Sequence, residues 1–223
     1  MPDFAFLAQQ IAVWAIPVLF AITVHEVAHG FVAKRLGDDT AERAGRLTLN
    51  PVRHIDPIGT IVLPLVMLIA KSPFLFGWAK PVPVDFRRLR RPVRDMALVA
   101  AAGPGSNLAM AMGWMALLWC YQAAGRPDGG WTLFRDMGIA GVSVNVVLMV
   151  LNLLPIPPLD GGRIAVSLLP RSLALPLSKV EPYGMVILIA LLVFEVLGTI
   201  LFWPTVFVET ALYRLFAVQI GGL

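Results

Sequence analysis

Residues 21–37 read AITVHEVAHGFVAKRLG, and they close an apolar run that begins near residue 4. His25 and His29 stand four positions apart in this run. On a helix that spacing puts both imidazoles on one face, one turn apart, where they can grip a single cation. Glu26 points off that axis, so it is poorly placed as a third ligand but well placed to act on a water as general base. Two imidazoles and a carboxylate are costly inside an apolar helix unless something compensates them. A divalent cation does so.

Outward from this helix, the whole chain reads as a membrane protein. Its 223 residues are 58% apolar and 14% charged, against roughly 45–50% and roughly 25% in soluble domains. The mean hydropathy is +0.77. Soluble, disordered and repeat architectures are excluded on that balance. Four stretches, near 4–34, 96–123, 138–154 and 183–203, approach the roughly 20 residues that a spanning helix needs. The opening MPDF carries no basic segment, so the first is expected to be an uncleaved anchor. The tail at 205–220, with Glu209 and Arg214 inside it, is expected as an interfacial amphipathic helix.

A fifth apolar stretch, 58–70, is punctuated by Pro57, Pro64 and Pro73. As a helix its 13 residues would cover about 20 Å of a core about 30 Å thick. If it does not cross, 15 of the 18 Lys and Arg residues share one face. If it does, the two faces hold 8 and 10. The positive-inside rule selects the first arrangement, with a re-entrant or interfacial segment, the N-terminus outside and the basic loops in the cytoplasm. The net charge of +4 is read in the same way, as basic loops against anionic lipid rather than a nucleic-acid surface.

A catalytic zinc site usually has three protein ligands. Cys120 is the sole cysteine, so thiolate clusters are excluded. Two candidates for the third ligand are His54 and Asp160. Asp160 is the better, because it follows a proline run in NLLPIPPLDGG (152–162) that ends the third apolar stretch, and Gly161 and Gly162 permit a tight turn there. In the topology chosen by charge, it also falls on the same side as His25 and His29. His54 and Asp56, in NPVRHIDP, are expected to fix a loop or support the ligands rather than bind metal. Glu195 is an intramembrane carboxylate left outside the site.

HExxH in the first span, together with NLLPIPPLDGG, resembles the site-2 protease family of intramembrane zinc metalloproteases. AAGPGSN (101–107), GRLTLNPVRHIDPIGT (45–60) and FGWAKPVPV (76–84) extend the resemblance over nearly the whole chain. The closest likeness is to the compact branch without PDZ or CBS domains. The resemblance implies one Zn2+ per chain on His25, His29 and Asp160, with Glu26 as catalytic base. It also implies that Asn107 positions or polarises the scissile carbonyl, and that Gly103 and Pro104 shape the helix near the site.

A helix hides its amides, so a membrane-embedded substrate must unwind before attack. A strand edge could hold the extended form by β-addition. Gly77, Trp78, Ala79, Lys80, Pro81 and Val82, within 77–84, are the expected docking element. The expected fold is therefore an α-helical polytopic membrane protein. It has about four spanning helices, a re-entrant or interfacial segment and a small β element between the first two spans, all in one domain over 1–223. The expected activity is an intramembrane zinc endopeptidase in a prokaryotic inner membrane, cutting transmembrane protein or peptide substrates from the cytoplasmic side. A metal transporter would show several ligand clusters along a path, and this chain has one. A catalytically idle binding protein would usually have lost HExxH or Asp-Gly, and both are intact.

Overall fold

The protein is described by a computed structural model over residues 4–69, 77–126 and 129–219. The first helix, α1 (Phe4–Arg35), runs 32 residues without a break at Pro17 and ends on Lys34 and Arg35, cations that complement its C-terminal dipole. A short helix, α2 (Thr40–Arg43), follows. Pro57–Val62 then forms a π-helical turn capped by Asp56, which accepts from the amides of Ile58 at 3.0 Å and Gly59 at 2.7 Å. It leads into α3 (Leu63–Ile69), which is only seven residues long. Ala70 and Phe76, at the ends of two expected segments, lie outside the described residues.

The central pair is α4 (Pro92–Ala123) and α5 (Trp131–Asn152). Ala111, Met115 and Leu118 of α4 are buried against Val142, Val146, Met149 and Val150 of α5. Small residues set this approach. A Cβ at Gly138 would stand 2.7 Å from the Leu118 side chain, and one at Gly141 would collide with the Trp114 ring. Without a hydrophobic drive between helices in lipid, such close packing is what holds them together. Next come α6 (Asp160–Leu168), α7 (Arg171–Ser178), α8 (Gly184–Val193) and α9 (Val196–Leu215).

Among the described residues, four helical stretches are long and apolar enough to cross a membrane: Ile11–Arg35, Trp131–Asn152, Arg171–Val193 and Val196–Leu215. Outward faces carry large apolar side chains, among them Trp14, Phe20, Phe31, Val186 and Phe207, each at least 48% exposed. A soluble monomer would not leave so much apolar surface to water.

Two expectations need correction. The stretch 183–203 is not one helix: Glu195 adopts φ +61° and separates α8 from α9, leaving its side chain exposed at the joint rather than mid-helix. The tail 205–220 is not a separate interfacial helix, because its first eleven residues continue α9, whose nine preceding residues give it spanning length. The stretch 96–123 lies within α4, a helix of 32 residues.

The small β element is also absent, as no strand forms among the described residues. Segment 77–85 carries no regular structure, and its polar groups are met by loops and side chains instead of a neighbouring strand. Trp78 N donates to Gly59 O at 3.1 Å, and Lys80 N donates to His54 O at 2.9 Å. Thr60 Oγ1 donates to Trp78 O, Arg46 Nη2 donates to Lys80 O, and Asp85 N donates to Asp38. Pro81 and Pro83 have no amide to offer a ladder.

Candidate active site

His25 and His29 lie in the C-terminal third of α1. Gly30 follows them directly, and a Cβ there would press on Leu47, Ala41 and Val82. The bare glycine lets the 77–85 segment lie against this turn of the helix. Asp160 arrives from the other direction. α5 stops at Asn152, the prolines carry the chain around, and α6 starts at Asp160. Added carbons at Gly161 and Gly162 would collide with the backbone of Leu153 and Pro157. Only glycine permits this fold-back, and it delivers the carboxylate to α1.

Three ligand atoms converge. The Nε2 atoms of His25 and His29 are 3.0 Å apart, and each lies 3.2 Å from Asp160 Oδ2. The protons on these rings are fixed elsewhere. His29 Nδ1 sits 2.7 Å from Val99 O, a carbonyl that can only accept, so Nδ1 carries the hydrogen and Nε2 a lone pair. His25 Nδ1 sits 2.6 Å from Asn107 Oδ1 in the same relation. Two lone pairs and a carboxylate oxygen therefore face one another with no proton between them. Asp160 Oδ2 is buried and has no hydrogen-bond partner. The arrangement repels itself unless a cation sits among the three, and the donor set of two imidazoles and one carboxylate suits zinc.

Gly103 makes room for this. A Cβ at that position would stand 2.5 Å from His29 Nε2 and 2.6 Å from His25 Nε2. Glu26, half-buried, faces the same cavity of about 250 Å³, which Trp78, Val82, Asn152 and Arg163 also line. Its Oε2 accepts from Val82 N at 2.7 Å, so the 77–85 segment holds the carboxylate beside the ligands.

Other expected residues are placed differently. Asn107 is fully buried behind His25, with its Oδ1 on His25 and its Nδ2 donating to Asn145 Oδ1 at 3.0 Å. Both its polar atoms are engaged there, not turned to the cavity where a scissile carbonyl would lie. His54 is away from the three ligands and donates from Nε2 to Thr48 O at 2.9 Å, fixing a loop. Asn152 lines the cavity, and its Nδ2 donates to Leu148 O. Of the expected docking residues, Trp78, Ala79, Pro81 and Val82 line the cavity, while Gly77 and Lys80 do not. Asn145 and the Val82 amide escaped the sequence reading. A polar residue two turns before Asn152 in an otherwise apolar helix was the available signal for Asn145.

Known proteins resemble this chain over most of its length. The profile of peptidase family M50 matches residues 130–194. YwhC of Bacillus subtilis (strain 168), named as a candidate zinc metalloprotease, is 40% identical over 194 residues, covering 85% of this chain and 83% of the relative. Rip2 of Mycolicibacterium smegmatis, similarly named, is 31% identical over 178 residues, covering 78% and 64%. Rip2 of Mycobacterium tuberculosis (strain H37Rv) is 35% identical over 150 residues, covering 64% and 52%. No solved structure is a significant match.

Proposed function

The chain belongs to peptidase family M50, the site-2 protease family, and is a zinc metalloprotease; from that premise we propose that it is an endopeptidase cutting peptide bonds within or beside transmembrane segments of membrane proteins. The observation that carries this reading is the meeting of His25, His29 and Asp160 beside Glu26, on a helix long and apolar enough to span a bilayer. His25, His29 and Asp160 hold the metal. Bound zinc supplies a Lewis acid that acidifies water and polarises the scissile carbonyl. Glu26 takes a proton from the attacking water at its carboxylate as the new C–O bond forms. It returns that proton to the amine nitrogen when the C–N bond breaks. Val82 N keeps Glu26 in place without competing for its other oxygen.

The substrate reaches this cavity in extended form and lies along Gly77–Val82. Bacterial relatives and the clustering of basic residues between α1 and α4 support a cell-membrane location with the active site toward the cytoplasm. The test is cleavage of a labelled transmembrane substrate in sealed vesicles. With the cytoplasmic face outward, an impermeant chelator abolishes cleavage and added zinc restores it; with that face inward, the chelator has no effect. Ala79→Glu lowers cleavage by about tenfold or more, as loss of positioning does, and leaves zinc content unchanged. Cleavage that survives chelation on both faces contradicts the proposal.

A further inference from the structure

We infer that Asn145 is a positioning residue for the metal site, acting through Asn107 to decide which nitrogen of His25 carries its proton. This rests on the proposed ligand set and goes one layer beyond it.

Gly141 O is a backbone carbonyl and can only accept, and Asn145 Nδ2 donates to it at 2.8 Å. That contact turns Asn145 Oδ1 toward α4, where it too can only accept. Asn107 must therefore present its Nδ2, and the two atoms are 3.0 Å apart. With its amide so turned, Asn107 offers Oδ1 to His25 Nδ1 at 2.6 Å. The proton is then obliged to sit on Nδ1, and Nε2 is left bare beside Asp160 and His29. Asn107 and Asn145 are both 0% exposed, so water cannot stand in for either partner.

The relay has two states. Turned over, the Asn107 amide would present Nδ2 to His25 Nδ1, which would then need a lone pair. The proton would move to Nε2 and occupy the position of the metal. Nothing in Asn107 itself prefers one state, since its two ends are nearly the same shape. Asn145 supplies the preference because Gly141 O fixes it in turn. His29 needs no such relay, for Val99 O sets its tautomer directly.

The experiment measures zinc affinity by chelator competition on the full chain in detergent, with helical content checked in every variant. Asn145→Leu weakens zinc binding by about 10–100-fold, the usual cost of losing such a supporting partner. Asn145→Asp restores binding to within about threefold, because its neutral acid offers one donor for Gly141 O and one acceptor for Asn107. The inference is overturned by wild-type affinity in Asn145→Leu or by Asn145→Asp losing as much as Asn145→Leu. If Asn145→Leu does not fold, Asn145→Ala takes its place with the same outcomes. A wild-type chain that takes up no zinc would instead defeat the ligand assignment.

Discussion

Glu26→Gln lowers peptide hydrolysis by about 10²–10⁴-fold, the range that a positioned general base supplies, and leaves zinc content at the wild-type level. The substitution is close to isosteric. The glutamine carbonyl can accept from Val82 N as the carboxylate does at 2.7 Å, so the side chain keeps its place against the 77–85 segment. His25, His29 and Asp160 lose no partner by the change. What disappears is a group able to take a proton from water. Parallel measurement of metal content and of cleavage of a transmembrane substrate separates the two effects. Activity retained in Glu26→Gln would show that the base lies elsewhere.

Gly103→Ala removes the metal. A methyl group at this position meets His25 Cε1 and His29 Nε2 at 2.5 Å and His25 Nε2 at 2.6 Å, distances at which one side must move. Both rings are held from behind, by Asn107 and by Val99 O, so they cannot retreat without breaking the bonds that fix their tautomers. The helix itself does not object, since alanine is favoured over glycine in a helix interior by about 1 kcal/mol. A folded, helical protein with no bound zinc is therefore the expected outcome. Gly105→Ala is the matched control, because nothing lies within 4 Å of its added carbon. Equal zinc content in the two variants would contradict the packing argument.

The parts of this protein that were legible in sequence are those governed by local rules. His25 and His29 declare their shared face through a four-residue spacing. Asp160 is announced by prolines that end a helix and glycines that allow a fold-back. That 58–70 is too short for a full span follows from its length, and residues 57–69 form a short π-then-α element. The features that stayed hidden depend on tertiary contacts. No glycine or proline marks the joint at Glu195, so the break between α8 and α9 has no local signature. Segment 77–85 looks like a strand in sequence, but its amides are taken by Gly59, His54 and Glu26, and it never finds a ladder. Asn107 could be recognised as special by resemblance. Its actual neighbour, Asn145, lies 38 residues away on another helix, and only packing brings them together.

The proposed function stands on a zinc ion shared by two histidines of α1 and one aspartate at the start of α6. The most direct measurement is the zinc content of the detergent-purified chain beside that of Asp160→Ala, with helical content checked in both. The expected result is one zinc per wild-type chain, as a mononuclear site requires, and almost none in a variant that remains helical. A folded Asp160→Ala protein that keeps its full zinc complement would contradict it.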